Sequence, residues 1–207
     1  DMNHRDLGTS MNQCLNEPYF KEGLLMRSAT WFSGWGCSKV GSPDVIYSLN
    51  FSPERNERYF CQKGDNKKIG RYFNFDKQLS DLEILDQWND PQIKGATCGF
   101  IKDIFVSVLE DQKTLFHCDA GRDRTGAIAA LLSAIVAEST KDLDSRMIGA
   151  IECDYQKTKS LDEEKHGRMG YFITQIIRQG GVNNFVSKNC NIDPEVIAAF
   201  SKKMRYD

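Results

Sequence analysis

The chain has 207 residues, of which 40% are hydrophobic and 27% charged, with a formal net charge of -2. This composition fits one globular domain over residues 1–207, with an irregular segment over about residues 1–20. The small net charge argues against a nucleic-acid binder and against strong attachment to an anionic membrane. An anionic ligand therefore needs a local concentration of positive groups. We expect a monomer.

Seven cysteines are scattered through the chain, and the absence of a Cys-x-x-Cys element argues against a zinc ribbon or a redox motif. The odd number leaves at least one free thiol under any full pairing, so a reducing compartment, the cytoplasm, is the simplest interpretation. A secreted bacterial protein acting in a host cytosol would fit as well. The sequence has no run of about 18 apolar residues, so we expect no membrane span, and its start does not resemble a signal peptide.

Short strands are predicted in the N-terminal half. Gly23–Ser28 fits a short edge strand, and Asp44–Leu49 fits a buried strand because its centre is apolar and β-branched. Arg71–Phe75 is a third candidate, followed by a polar, acidic stretch through Asp90. The first forty residues otherwise look irregular.

Helices dominate the C-terminal half. Apolar residues recur at helical spacing over residues 97–109, and Thr114–Phe116 is so short and apolar that it predicts an interior strand. Residues 125–137 are almost wholly apolar, which is typical of a buried helix. Further helices are predicted over residues 143–157, 163–179 and 193–204. The sequence therefore predicts an α/β domain with a mostly parallel sheet, flanked by helices, and a helical C-terminal part.

One segment carries the chemistry. Residues 116–126 read Phe-His-Cys-Asp-Ala-Gly-Arg-Asp-Arg-Thr-Gly and join the interior strand to the apolar helix. A loop at this place can turn successive backbone N–H groups inward, and the helix that follows directs its positive end at the same centre. A phosphate group would be bound there. The expected phosphate-binding residues are Asp119, Ala120, Gly121, Arg122, Asp123 and Arg124.

Cys118 is the first residue of this loop, where the converging donors favour the nucleophilic thiolate. Arg124 follows after five residues, and its planar guanidinium can hold two phosphoryl oxygens of the transition state. Thr125 is expected to donate a hydrogen bond to the thiolate, and His117 to orient the loop. A cysteine and an arginine at this spacing are weak evidence alone, but the full string makes a buried structural cysteine the poorer interpretation.

The string His-Cys-Asp-Ala-Gly-Arg-Asp-Arg-Thr-Gly resembles the signature loop of the protein tyrosine phosphatase superfamily, which is a cysteine, five residues and an arginine. It is similar to the loop H-C-x-A-G-K-D-R-T-G of bacterial tyrosine and lipid phosphatases. It resembles the loop of the cysteine-dependent phytase-like inositol phosphatases almost as closely. Residues 23–29 and 44–49 resemble strands of the same group, so the resemblance covers residues 20–140. It implies a phosphocysteine on Cys118, hydrolysis by water, and no metal or cofactor.

The superfamily supplies a general acid from a separate loop, often an aspartate in Trp-Pro-Asp. The nearest match here is Trp88-Asn89-Asp90-Pro91, which makes Asp90 a candidate acid, although the order of residues differs. The alternative role of Asp90 is to cap the helix that follows. Its rivals as the acid are Asp76, Asp81, Asp86 and Asp123.

The leading hypothesis is a phosphomonoesterase acting on an inositol phosphate, a phosphoinositide headgroup or phosphotyrosine. Arg122 favours a substrate with several phosphates, while Asp119 opposes it because lipid phosphatases of the superfamily often have lysine there. Arg122 could instead form a salt bridge with a nearby aspartate. The main alternative is an inactive phosphate-binding module, and a weaker one is a sulfur-transfer or arsenate-reducing enzyme.

Overall fold

A computed structural model describes residues 2–30, 32, 34–49, 61–63, 68–69, 71–72 and 81–206. The strand predicted over residues 71–75 is described at its first two residues, where a strand is present. The rival acid Asp76 lies outside the described residues.

The described strands form a five-stranded sheet in the order β1-β2-β7-β3-β6 and a two-stranded sheet of β4 and β5. Their bounds are β1 Arg5–Asp6, β2 Leu25–Ser28, β3 Val45–Ser48, β4 Cys61–Gln62, β5 Lys68–Ile69, β6 Arg71–Tyr72 and β7 Thr114–His117. Strands β2, β7, β3 and β6 are parallel, and β1 pairs antiparallel with β2. The predicted α/β class, the mostly parallel sheet and the interior position of β7 are confirmed. Strand β2 was predicted at an edge, which is wrong, because it lies between β1 and β7.

The two faces of the larger sheet bury separate apolar clusters. Every residue of β2, β3 and β7 is buried, as parallel strands covered on both faces require. Tyr47 and Phe116 face the helices, whereas Ile46 and Leu115 face a smaller cluster that includes Cys37. The helices therefore pack mainly on one side of the sheet.

Seven α-helices are present among the described residues. They are α1 Leu7–Leu15, α2 Pro91–Leu109, α3 Asp123–Ser139, α4 Ser145–Gln156, α5 Arg168–Arg178, α6 Val182–Cys190 and α7 Pro194–Lys203. The predicted helices correspond to α2, α3, α4, α5 and α7, with shifted ends. Helix α2 begins six residues earlier than predicted because Asp90 caps it and Pro91 occupies its first position. None of these helices is long and apolar enough to cross a membrane.

Helix α1 corrects the prediction of an irregular N-terminal segment. Its buried residues include Leu7, Met11 and Leu15, which recur every four positions and face the core. Asp6 caps its N-terminus, and Asn16 ends it in a left-handed conformation. The apolar spacing was visible in the sequence, but the segment is short and its other positions are polar.

The helix predicted over residues 163–179 is interrupted, and α6 was not predicted. Gly167 has a φ of 90° and separates a short 3-10 turn from α5. Helix α6 is short and largely polar, and its N-terminus is held by a tertiary contact: the Glu138 carboxylate accepts hydrogen bonds from the N–H groups of Val182 (2.7 Å) and Asn183 (2.9 Å). Its stability depends on a residue of α3, which local sequence does not reveal.

Six of the seven cysteines form disulfides. The pairs are Cys14–Cys153, Cys37–Cys61 and Cys98–Cys190. Cys118 is the free cysteine, and all seven lie among the described residues. These disulfides give no support to the prediction of a reducing compartment, which remains untested.

Candidate active site

The segment of residues 118–124, called the anion loop below, leaves the carboxyl end of β7 at the centre of the sheet. β7 pairs in parallel with β2 on one side and with β3 on the other. The chain segments that follow β2 and β3 therefore lie beside the loop. Helix α3 begins at Asp123, inside the loop itself. This edge of a parallel sheet is where ligands bind in α/β proteins.

Three successive carbonyl groups of the anion loop are hydrogen-bonded to the segments around it. The bonds run from Thr30 N–H to Asp119 O (3.0 Å), from Asn3 Nδ2 to Ala120 O (2.8 Å) and from Arg27 Nη2 to Gly121 O (3.0 Å). All three donors come from β2 or from the chain near the N-terminus. They hold these carbonyls on the outer side of the loop.

The backbone N–H groups of the loop consequently point the other way. In a trans peptide the carbonyl and the next N–H lie on opposite sides, and the described chain has no cis peptide. The N–H groups of Ala120, Gly121 and Arg122 therefore face the loop centre. Within the described residues, neither these groups nor the first amides of α3 donate to another carbonyl or carboxylate. The loop thus forms a concave set of donors suited to an anion.

Cys118 is the first residue of this loop; it is 2% exposed and is grouped with the main apolar cluster. The fully buried His117 places its ring Nδ1 3.1 Å from the Cys118 carbonyl oxygen, and its ring packs edge-on against Phe32. Burial lowers the pKa of His117 to about 4, so the ring is neutral at physiological pH. Thr125 is also fully buried, and its hydroxyl has no hydrogen-bond partner among the described residues. A donor of this kind suits the expected contact with a thiolate.

Arg124 extends its guanidinium across the loop. Nη1 donates to the Leu49 carbonyl just beyond β3 (3.3 Å), and Nη2 lies 3.6 Å from a carboxylate oxygen of Asp119. These contacts hold the guanidinium near the carboxyl ends of β3 and β7, beside the position of Cys118. The Arg124 side chain is 13% exposed, whereas that of Asp119 is 58% exposed. Asp119 can therefore move aside for a ligand.

Arg122 forms a salt bridge with its neighbour Asp123, at 2.9 Å. It is therefore not the free cation that was expected to bind a second phosphate. The Asp123 carboxylate also accepts hydrogen bonds from Lys165 (3.1 Å) and Tyr155 (2.9 Å). Burial would raise the pKa of Asp123, but these three donors outweigh burial and lower it. Burial, followed by the negative charge of Asp123, raises the pKa of Tyr155, so the phenol remains protonated.

Asp90 acts as the N-cap of α2, the alternative role that the sequence offered. Its carboxylate accepts hydrogen bonds from two N–H groups of the first turn, at 2.9 Å and 3.4 Å. Trp88 is not a surface aromatic: it is 4% exposed and its indole donates to a backbone carbonyl. Asp81 and Asp86 are both exposed.

Sequence reasoning missed three charged residues near the loop. Arg27 and Asp154 are buried and joined by a salt bridge of 2.7 Å. A lone arginine in the apolar strand β2 was the available signal, because an unpaired charge is rarely buried. Glu83 is also buried, 3.4 Å from Arg168, and burial raises its pKa. The sequence contained no signal for Glu83.

Gly126 lets α3 pack closely against α4. A β-carbon at this position would lie 2.9 Å from the ring of Tyr155, the residue that holds Asp123. Among the described residues no three histidine, cysteine or carboxylate side chains are grouped as metal ligands.

A comparison with models of known families found a match over the C-terminal part of the chain. The family model described as "Tyrosine phosphatase family" matches residues 92–206, more than half of the chain. The matched segment contains α2, β7, the anion loop and all the helices that follow. A search of curated proteins found no match.

Proposed function

Because the chain belongs to the tyrosine phosphatase family, we propose that it hydrolyses phosphate monoesters through a phosphocysteine on Cys118. One observation carries the proposal: the one free cysteine among the described residues is the first residue of a loop whose carbonyls are held outward, and the Arg124 guanidinium of the same loop lies near the carboxyl ends of β3 and β7. Such an arrangement binds a phosphoryl group and presents it to the sulfur.

In the first step the Cys118 thiolate attacks phosphorus, a sulfur–phosphorus bond forms, and the bond to the ester oxygen breaks. The loop amides and Arg124 stabilise the equatorial oxygens, on which negative charge is spread in the transition state. The leaving oxygen takes a proton from a general acid. In the second step water attacks phosphorus and gives its proton to the same group, which releases inorganic phosphate and the thiolate.

We assign the general acid to Asp123 in preference to Asp90. Both carboxylates accept hydrogen bonds, but Asp123 adjoins Arg124 within the anion loop at the start of α3, whereas Asp90 caps the N-terminus of α2. The lowered pKa of Asp123 leaves a small protonated fraction at neutral pH. Hydrolysis of esters with poor leaving groups should therefore be fastest under acidic conditions.

The charges around the loop favour a substrate with one phosphate group. Arg122 was the argument for several phosphates, but Asp123 pairs with both Arg122 and Lys165. These pairs leave little positive charge at this side of the loop for a second phosphate. We therefore propose phosphotyrosine, in preference to inositol phosphates or phosphoinositides. Phosphate release from a panel of phosphotyrosine peptides, inositol phosphates and phosphoinositides tests this choice.

Turnover of p-nitrophenyl phosphate by the parent, Cys118→Ser and Arg124→Lys tests the catalytic assignment. We expect Cys118→Ser to be inactive while still binding inorganic phosphate in a calorimetric titration, because its amides and Arg124 remain. Arg124→Lys should lose both activity and affinity, since an ammonium cannot hold two oxygens. Arg146→Lys is the matched control, because Arg146 forms an exposed ion pair with Glu17 on another face.

The outcomes separate the candidate functions. Acid quenching of the parent during turnover should trap a phosphate adduct on the peptide containing Cys118. Phosphate binding without turnover by the parent would indicate the phosphate-binding module. Turnover by Cys118→Ser at the parent rate would exclude Cys118 as the nucleophile.

A further inference from the structure

Arg27 connects the anion loop to a buried charge cluster beneath it. Its side chain is fully buried; Nη1 donates to Asp154 Oδ2 at 2.7 Å and Nη2 donates to the Gly121 carbonyl at 3.0 Å. Burial is the main cause that lowers the pKa of Arg27 to about 10, and the group stays charged at neutral pH. The negative charge of Asp154 opposes this shift.

Asp154 fixes the position of Arg27. Its other carboxylate oxygen accepts hydrogen bonds from Arg5 Nε (2.9 Å) and Ser10 Oγ (2.5 Å). Burial would raise the pKa of Asp154, but the two arginines outweigh burial and lower it to about 2. Two arginines thus surround one carboxylate, and the cluster of Arg5, Arg27 and Asp154 retains one positive charge.

A structural role alone does not account for this cluster. A buried ion pair often contributes little net stability, because desolvation offsets the attraction between the charges. Here the second donor of Arg27 ends on the loop, so the surplus positive charge of the cluster lies beside the Gly121 carbonyl. Gly121 is also the loop residue with a left-handed φ of 65°, and because glycine is conformationally permissive, the hydrogen bond from Arg27 helps to select this peptide orientation.

We propose that Arg27 is a positioning residue of the anion loop, which orients the Gly121–Arg122 peptide and brings a buried positive charge to the loop. Asp154 holds Arg27 in place for both tasks. The proposal concerns the same site as the proposed phosphatase activity, and the expected effect on turnover rests on that activity. The effect of Arg27 on anion binding can be measured independently of turnover.

Two substitutions separate the parts of the proposal. Arg27→Lys keeps the charge but cannot reach both Asp154 and Gly121, whereas Arg27→Gln keeps donors and removes the charge. Ser10→Ala is the matched control, because it removes a hydrogen bond to the same carboxylate without touching the loop. The measurements are the Kd of inorganic phosphate, kcat and KM with p-nitrophenyl phosphate, and the rate at which iodoacetamide alkylates Cys118 at pH 6.

We expect Arg27→Lys to weaken phosphate binding about tenfold or more, and to lower kcat more than it raises KM, because the lost orientation matters most in the transition state. Arg27→Gln should also slow alkylation at pH 6, which Arg27→Lys should largely spare. Ser10→Ala should stay within about twofold of the parent in each measurement. If the parent binds phosphate but does not turn over, a loss of affinity in Arg27→Lys still supports the proposal.

Parent-like phosphate affinity and kcat in a folded Arg27→Lys protein would overturn the proposal. Should that variant fail to fold, Asp154→Asn gives the same test, because the amide keeps the shape of the carboxylate but holds Arg27 less tightly. Unchanged phosphate affinity and kcat in Asp154→Asn would then overturn it.

Discussion

Gly121 in the anion loop passes so close to the end of β2 that a β-carbon on it would lie 2.5 Å from the carbonyl carbon of Ser28. Its φ of 65° adds a conformational cost for any other residue. We expect Gly121→Ala to destabilise the fold by about 1–3 kcal/mol and to reduce kcat, because the loop must move from its position. Urea denaturation and turnover of p-nitrophenyl phosphate check both effects.

Gly149→Ala in α4 is the control for this substitution. A β-carbon there meets nothing within 4 Å, so alanine should stabilise the helix by up to about 1 kcal/mol and leave kcat unchanged. A Gly121→Ala protein that is as stable and active as the parent would show that the close contact does not constrain the loop.

Asp90→Asn separates the capping role from the catalytic role. Asparagine caps helices as well as aspartate, so the free energy of unfolding should change little. We expect kcat to stay within about twofold of the parent for both phenyl phosphate and p-nitrophenyl phosphate. Asp123→Asn should reduce kcat for phenyl phosphate by about 10²-fold or more, and less for the activated ester. The opposite pattern would make Asp90 the acid.

Lys165→Met should shift the pH dependence of kcat. Lys165 donates to Asp123 at 3.1 Å and helps to lower the pKa of that carboxyl. Removing the cation raises the pKa of Asp123, so more of the acid is protonated at any given pH. The basic limb of the pH–rate profile with phenyl phosphate should move to higher pH. A limb that stays in place would argue against Asp123 as the proton donor.

His117 should make folding stability depend on pH. The pKa of His117 is lowered by burial from 6.5 to about 4, so the unfolded chain binds a proton more readily between these values. The contribution of His117 to the free energy of unfolding is present above pH 6.5 and is lost as the pH falls to about 4. In total it amounts to about 3 kcal/mol. Urea denaturation across this range measures it.

His117→Asn should flatten most of this dependence. His4, whose pKa is also lowered by burial, and the carboxyls with shifted pKa values, Asp123, Asp154 and Glu83, account for the part that remains. If the variant loses stability with acid as steeply as the parent does, His117 does not titrate as described.

The Cys14–Cys153 disulfide should stabilise the packing of α1 on α4. It joins residues 139 positions apart, so replacing both cysteines by serine should lower the free energy of unfolding by about 2–4 kcal/mol. Maleimide labelling of unreduced, unfolded protein should modify one cysteine per chain, Cys118. Labelling of seven cysteines would mean that the disulfides do not form under the conditions of expression.

The α/β class of the fold and the place of the anion loop could be predicted from sequence patterns. Strong local signals made this possible, since the apolar strand at residues 114–116, the apolar helix behind it and the string between them lie within one continuous segment. Helix α7 was also predictable, because Asp193 and Pro194 mark its start. These features depend on neighbouring residues, which sequence patterns record directly.

The residues that hold the anion loop in place could be identified only from the three-dimensional structure. Thr30 and Arg27 contact the anion loop although they lie more than eighty residues before it in the sequence. Asp154, which binds Arg27, lies after the loop in the sequence. The cysteine pairs and the contacts of Asp123 with Tyr155 and Lys165 likewise depend on how the chain folds back on itself. Such contacts produce no periodicity or motif in the sequence, because they join residues that are close in space but distant along the chain.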